Sequence, residues 1–473
     1  QVYNMERLGN LLKQHKIVIF IILSIIQGLL IFLLLKPGFF SPDSQSQYNQ
    51  SIGNQELTDW HPVSMVLLWR LTQFLRISVS GILLMQVCFL EVGIGLIAWT
   101  IYKKYRSWRR TLLIFALPVL PYVFVLIGFV WKDIQMATAI FAGFAFVYSS
   151  TEVRKSSVKI VFYSLAALFL LYAASVRTNA IVAILPFMAY VFTLNGKVNT
   201  MKKQILAVGG IFLFMVAAIM LPKFLASATS AFSGKISNTM KSIDIVNILT
   251  PNELQSLNFT SSKLRSELGG LQNCSHFGDG LQLAFWKCVE PSTYAKEGIM
   301  YKNSSEIDLI WKDTLKSHPG RYIMFKIETY LAFLIPKDLN NTGLVNLSTV
   351  YAPNNSGADS FRYKSIESMM YHTTVNLWSR YLPFIFAGWF WLIVSVGLVV
   401  WSFKKYQHIF VLSCSSLLYI LSFIPASVTP DFRYIYWPAL ACTVAMILAS
   451  QFVFSKKSSI KYKKSKVIKR TLV

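Results

Sequence analysis

The chain has 473 residues, of which 54% are hydrophobic and only 14% are charged, with a net charge of +25. A soluble domain carries about a quarter charged residues, so this composition excludes an ordinary water-soluble protein. The basic residues are spread over short connections between apolar runs and over a tail from Lys456 to Arg470, as the positive-inside rule requires. Nucleic-acid binding would need a basic face on a soluble domain, so we expect a lipid bilayer and no nucleic acid as partner.

Apolar runs long enough to cross a bilayer follow one another along the chain. The first is interrupted only by Ser24 and Gln27, is too long for a signal-peptide core and is read as a retained span. We therefore predict an all-α polytopic membrane protein with about ten transmembrane helices. The predicted spans are Ile17–Leu35, Ile82–Tyr102, Thr111–Val130, Ile134–Tyr148, Ile160–Ala174, Ile181–Leu194, Ile205–Leu221, Phe384–Trp401, Ile409–Phe423 and Ile435–Phe454.

Every second connection is basic, which predicts that both termini lie in the cytoplasm. The chain then divides into an N-terminal transmembrane module (1–221), a polar outer region forming a small cap (222–382) and C-terminal transmembrane helices with a basic tail (383–473). Tyr322–Pro336 and His61–Leu75 are amphipathic and are predicted to lie at the outer membrane interface. Cys274 and Cys288 could close a short loop as a disulfide if the outer region faces an oxidising compartment.

The first outer connection contains a concentration of polar and aromatic residues. Asp43 follows the first span directly, where partial desolvation would suit a general base, although Ser-Pro-Asp is also a common helix cap or turn. Carboxylates and aromatic faces together are what a sugar ring needs for its hydroxyls and its C–H face. The candidate substrate contacts in this connection are Tyr48, Asp59, Trp60 and His61. His61 is equally compatible with a proton carrier and with a surface histidine that has no role.

Further charged residues occur in the short outer connections. Lys132 and Asp133 join two spans and are either functional or simple snorkelling ends. Arg177 ends a span on the side where arginine is unexpected, which favours a phosphate or carboxylate partner. Before the last span, Arg433 could pair with Asp431 or bind an anion. No Cys or His pair completes a zinc site.

These motifs together resemble the GT-C class of membrane glycosyltransferases. The resemblance rests on an acid just after the first span, a short Lys-Asp connection and a late Asp-Phe-Arg-Tyr segment. Within that class, the size, the basic termini and the single large late outer region are similar to bacterial and phage-encoded O-antigen glucosyltransferases that alter serotype. The class resemblance covers the whole chain as an architecture, whereas each motif is short.

The resemblance implies a polyprenyl-phosphate-linked sugar donor, a glycan acceptor such as lipopolysaccharide O-antigen, and transfer of a hexose, with glucose the implied sugar. It also implies a bacterial inner membrane with the site on the periplasmic side. Asp43 matches the catalytic acid, Lys132 and Asp133 match a second charged motif, and Arg433 matches an arginine that contacts the donor phosphate. Arg177 and Lys132 could bind the same phosphate, and Asp133 is a further candidate substrate contact. Because Asp43 is followed by Ser44 instead of a second acid, no cofactor is expected and a divalent metal is doubtful.

Two other functions remain open from the sequence. An O-antigen ligase or polymerase would place its chemistry in the late outer region, where His276, His318 and Arg321 are the candidates. A lipid-linked sugar flippase or other transporter would use ionisable residues within the membrane, and Glu91 is the main one present in the spans.

Overall fold

The computed structural model describes residues 16–77, 79–194, 200–274, 302–335, 378, 381–426 and 431–452. Every regular element in these ranges is helical, apart from two isolated β-bridges. The N-terminal helices are α1 Lys16–Leu35, α2 Pro42–Ile52, α3 Val63–Phe74, α4 Gly81–Tyr105, α5 Trp108–Phe115, α6 Pro121–Ile127, α7 Lys132–Ser150, α8 Ser156–Val176, α9 Ala180–Leu194 and α10 Met201–Ala228. The later ones are α11 Ile236–Ile248, α12 Pro251–Ser256, α13 Ser262–Cys274, α14 Ser304–Ser317, α15 Pro319–Leu334, α16 Gly388–Ser402, α17 Gln407–Leu421 and α18 Phe432–Phe452.

The helical membrane character predicted from the sequence is confirmed. Within the described residues, five helices are long and apolar enough to cross a membrane, namely α1, α4, α8, a part of α10 from Gln204 to Ala228, and α18. Three shorter apolar helices, α9, α16 and α17, accompany them. Large apolar side chains such as Ile25, Leu30 and Phe212 are exposed on these helices, as expected where lipid replaces water as the solvent.

One helix, α7, forms the centre of the bundle. All of its residues from Asp133 to Ser150 are buried, because α4, α8 and α9 pack around it. The α4–α7 contact requires a glycine at Gly93, since a Cβ atom there would overlap the ring of Phe141. Some polar side chains within the bundle are paired with each other, as are the hydroxyls of Thr100 and Ser149 at 2.7 Å. These pairs avoid the cost of leaving polar groups unsatisfied in an apolar interior.

The segment predicted as a span at Thr111–Val130 is not one continuous helix. Helix α5 ends at Phe115, a 3₁₀ turn covers Leu117–Val119, and the short helix α6 follows. Pro118 and Pro121 explain the interruption, because proline lacks the N–H that a continuous helix needs and its ring clashes with the preceding turn. After α6, Gly128 forms a turn, and the non-helical residues 129–131 lead into the functional site described below.

The polar region after α10 forms a small helical unit, α11–α15, which we call the cap. Its own apolar core includes Ile245, Leu264, Leu268 and Ile307. The predicted boundary at residue 221 lies inside α10, which continues through Pro222 to Ala228, so the cap begins later than expected. Cys274 ends α13, but its side chain and all of Cys288 lie outside the described residues, so the possible disulfide stays a prediction.

The predicted amphipathic segment at Tyr322–Pro336 corresponds to helix α15. One face of α15 exposes Ile323, Met324 and Ile327, while the other face buries Lys326 against α11. The ammonium of Lys326 lies 2.7 Å from a carboxylate oxygen of Asp244 on α11, so this lysine has a buried ionic partner. The segment from His61 to Leu75 likewise contains helix α3, with its apolar residues partly buried and Phe74 exposed at its end.

Candidate functional site

The site is built on a contact between two extended segments that follow apolar helices. Residues 39 and 129 form a parallel β-bridge, in which the Phe39 N–H donates to the Gly128 carbonyl at 2.8 Å and the Val130 N–H donates to the Phe39 carbonyl at 3.1 Å. The side-chain amide of Gln86 on α4 donates to the Phe129 carbonyl at 3.0 Å. The breaks after α1 and α6 are thus fixed to each other, which sets the positions of α2 and α7 that begin immediately afterwards.

Asp43 lies in the first turn of α2, directly after this bridge. Ser41 caps the helix, and Ser41 and Ser44 form a reciprocal capping box in which each backbone N–H donates to the other residue's hydroxyl. The Ser44 hydroxyl also donates to the Val130 carbonyl at 2.6 Å. A carboxylate in a first helical turn is stabilised by the helix dipole. The interpretation of Ser-Pro-Asp as a helix cap is therefore correct for Ser41. Asp43 takes no part in this N-terminal capping box and lies beside Arg433 instead.

Arg433, in the first turn of α18, lies between two carboxylates. Its Nη1 is 3.6 Å from Asp43 Oδ2, and its Nε is 2.8 Å from Asp431 Oδ2. Its guanidinium also lies over the Trp131 ring, 5.1 Å from the centroid, and the Trp131 indole N–H donates to Ser41 Oγ at 2.9 Å. The Arg433 side chain is 7% exposed, whereas those of Asp43 and Asp431 are 25% and 23% exposed. The two carboxylates therefore form the accessible edge of the site, and the cation lies behind them.

A second ion pair lies beside the first. Arg177, just after α8, places Nη1 2.6 Å from Asp133 Oδ1 at the start of α7, and the Asp133 side chain is only 1% exposed. The Arg177 guanidinium lies 4.6 Å from the Tyr434 ring centroid, and that of Arg433 lies 5.0 Å from the same ring. Tyr434 therefore contacts both arginines, and the two ion pairs form one cluster.

Lys132 and His61 complete the electrostatic surroundings of Asp43. Burial raises the pKa of Asp43, but the positive charges around it, that of Arg433 first, outweigh burial and hold its pKa below the usual value. Burial lowers the pKa of His61 to about 4, despite the opposing effect of Asp43. At neutral pH the site therefore contains an ionised Asp43 and a neutral His61.

The third carboxylate differs from Asp43. Burial raises the pKa of Asp431 even though Arg433 opposes the rise, and the charges of Asp133 and Asp43 add to it. The two carboxylates beside Arg433 therefore differ, because the pKa of Asp43 lies below its usual value and that of Asp431 lies above it.

Three of the predicted substrate contacts lie elsewhere. Tyr48 is buried in an aromatic cluster with Phe40 and Trp69, at ring distances of 6.1 and 5.2 Å. The Asp59 carboxylate accepts hydrogen bonds from the Gly234 N–H at 2.6 Å and the Ser233 hydroxyl at 3.0 Å. Trp60 packs against Ile243 and Phe325 of the cap. Tyr48 is therefore a packing residue. Asp59 binds the segment between α10 and α11, and Trp60 packs against the cap.

Three residues of the cluster were missed as site residues by the sequence interpretation. Asp431 and Tyr434 belong to the late Asp-Phe-Arg-Tyr segment, of which only Arg433 was selected, and Trp131 directly precedes the selected Lys132. The sequence could have indicated them, because each lies within two residues of a charged residue that was selected. Consecutive residues at the start of a helix lie close together in space. Within the described ranges, no group of three or more His, Cys, Asp and Glu side chains is arranged to hold a metal ion.

The residues that would serve a ligase lie in a different environment. Glu253 of the cap contacts His318 at 3.3 Å and Arg321 at 2.7 Å, in a partly exposed ionic group. The hydrogen bond from Arg321, together with those from Thr250, lowers the pKa of Glu253 to about 2. This group ties α12 to α15, while His276 lies outside the described residues.

No family model, curated protein or solved structure matches this chain. The chemistry of the site must therefore be argued from its geometry. An ionised carboxylate at an accessible edge can accept a proton, and buried arginines behind it can stabilise an anion. The cluster lies where α1 and α8 end and α7 and α18 begin, so one end of the helix bundle combines both capabilities.

Proposed function

We propose that the protein is an inverting glycosyltransferase of the GT-C type that uses a polyprenyl-phosphate-linked hexose as donor and a cell-surface glycan as acceptor. The observation that supports this most is the placement of Asp43 3.6 Å from Arg433, with Arg177 and Lys132 beside them. The proposal includes about ten membrane crossings, cytoplasmic termini, a bacterial inner membrane and a site facing the periplasm.

In the proposed reaction, an acceptor hydroxyl attacks the anomeric carbon while Asp43 removes its proton. The bond from the anomeric carbon to the phosphate oxygen breaks, and the polyprenyl phosphate leaves with increased negative charge. Arg433 stabilises that charge, and a preorganised cation in a poorly hydrated site is effective in this role. A single displacement of this kind inverts the anomeric configuration.

The electrostatics of the cluster support a coupling between donor binding and the basicity of Asp43. The charge of Arg433 is the largest of the effects that depress the pKa of Asp43. A donor phosphate bound to Arg433 would offset this positive charge, so the pKa of Asp43 would rise toward neutrality. Asp43 would then be a stronger base when the donor is present than when the site is empty.

The test is sugar transfer from polyprenyl-phosphate hexose donors in membranes containing matched amounts of wild type, Asp43→Asn or Arg433→Gln. Loss of a general base lowers rates by about 10²–10⁴-fold, so Asp43→Asn is expected to lose at least about 100-fold. Asp313→Asn is the matched control, because it removes the same charge from an exposed position on the cap helix α14.

The outcomes separate the competing functions. Retained transfer by Asp43→Asn, together with loss in Arg321→Gln, would favour a ligase or polymerase with its chemistry in the cap. Absence of transfer by the wild type with several donors would favour the transporter. Loss in Asp43→Asn with donor binding intact supports the glycosyltransferase.

A further inference from the structure

A long apolar groove lies away from the charged cluster, between α1, α4, α7 and α8. It has a volume of about 840 Å³ and lies beside the exposed aliphatic faces of α1 and α8. Its wall includes Ile25, Leu29, Val87, Val92 and Phe162. Because α1, α4 and α8 are all long and apolar enough to cross a membrane, the hydrocarbon of the bilayer would have direct access to the groove.

The floor of the groove presents little polarity to an occupant. The α1–α4 contact passes through Gly28, where an added Cβ atom would lie 3.0 Å from Cγ of Glu91. Both carboxyl oxygens of Glu91 are buried beneath the surface, and the residue is only 6% exposed. The groove therefore suits hydrocarbon chains over most of its length.

One end of the groove is cationic. Lys103 lies in the last turn of α4, where its ammonium contacts the Glu152 carbonyl and lies 4.9 Å from the Trp99 ring centroid. Arg154 and Lys155 line the same end, just before α8, and both are exposed. The opposite end reaches Leu84, which at 1.5 Å per helical residue is about 28 Å from Lys103 along α4.

We infer that this groove binds an anionic glycerophospholipid, with its acyl chains along α1 and α4 and its phosphate at Lys103, Arg154 and Lys155. An apolar groove that ends in three cations is complementary in polarity to a molecule with apolar chains and a negative headgroup. At about 30 Å³ per water-sized group, the volume corresponds to about 28 methylene-sized groups, which is about the content of a pair of acyl chains. The inference does not depend on the proposed transferase activity.

The first experiment compares headgroups. Delipidated full-length protein in detergent is mixed with phosphatidylglycerol or phosphatidylcholine of identical acyl chains, and retained lipid is counted by native mass spectrometry. The wild type is expected to retain phosphatidylglycerol preferentially. The double variant Arg154→Gln/Lys155→Gln is expected to weaken phosphatidylglycerol binding about 30-fold, equivalent to about 2 kcal/mol at about 1 kcal/mol per basic residue. Lys404→Gln/Lys405→Gln is the matched control, since these exposed lysines lie between α16 and α17, away from the groove.

The second experiment fills the groove. Val92→Trp places a large ring in its wall, whereas Val400→Trp places the same ring on an exposed part of α16. The Val92 variant is expected to lose the retained lipid while keeping the thermal stability of the Val400 variant. Equal retention of both headgroups by the wild type, or equal binding by the two glutamine double variants, would overturn the inference. Preferential retention of a polyprenyl phosphate over phosphatidylglycerol would also overturn it, because the occupant would then be a different lipid.

Discussion

Replacing Asp133 by Asn tests whether the Arg177–Asp133 pair supports the structure of the site. The Asp133 side chain is 1% exposed and its oxygen lies 2.6 Å from Arg177 Nη1, so the variant leaves a guanidinium without its ionic partner. Breaking a buried ion pair from one side costs about 3–5 kcal/mol. Arg177 is 15% exposed and keeps its contact with the Tyr434 ring, so we expect the lower end of that range, about 3 kcal/mol.

The measurement is reversible unfolding in mixed detergent micelles, with Asp133→Asn, Arg177→Gln and the double variant compared in one cycle. Removal of both charges should cost clearly less than the sum of the single variants, with a coupling energy of about 2 kcal/mol. Asp308→Asn is the control, because the Asp308 side chain is 33% exposed and pairs on the cap with both Lys241 and Lys312 at 2.6 Å. If Asp133→Asn were no more destabilising than Asp308→Asn, the description of a tight buried pair would be refuted.

Two further predictions concern pH and packing. Because the folded-state pKa of His61 is about 4 against an ordinary 6.5, the unfolded chain binds this proton first as the pH falls. Because of His61, the free energy of unfolding of the wild type should therefore fall by about 3 kcal/mol as the pH is lowered from 6.5 to 4. An equal fall in His61→Gln would contradict this. Gly93→Ala forces a methyl group against the Phe141 ring and should cost about 1–3 kcal/mol. Gly397→Ala, with nothing near its Cβ, should be neutral or stabilising in the same unfolding measurement, and an equal loss in both variants would contradict the close α4–α7 contact.

The apolar helices were predictable because their signal is local. A run such as Ile17–Leu35 has no alternative to a helix in hydrocarbon, since each backbone N–H and C=O must be satisfied within the segment. Pro118 and Pro121 are visible in the sequence as well. The break was missed because the span was predicted from the length of the apolar run, without regard to the prolines in it. Hydropathy also gave no indication that α7 is buried on nearly every side, because burial among helices and burial in lipid favour the same residues.

The charged part of the site was easier to anticipate than its aromatic and polar parts. Lys132, Arg177 and Arg433 lie at helix ends, where a charge among apolar residues is costly without a partner. Tyr48 and Trp60 carried no such constraint, because an aromatic ring beside a polar loop can equally bind a ligand or fill a core. Only the three-dimensional contacts with Trp69 and with Phe325 distinguish these possibilities.

The balance of charge in the cluster has a consequence for how an anion would enter it. Arg433 is already paired with Asp43 and Asp431, and Arg177 with Asp133, so neither arginine is a bare cation for a phosphate. To contact Arg433, a phosphate must displace a carboxylate, and Asp43 is the one that can yield most readily. Its 3.6 Å separation from Arg433 exceeds hydrogen-bond length, whereas the other two contacts are 2.6 and 2.8 Å. Asp43 is also the most exposed of the three, so anion binding at Arg433 would free that carboxylate at the edge where an acceptor hydroxyl would approach.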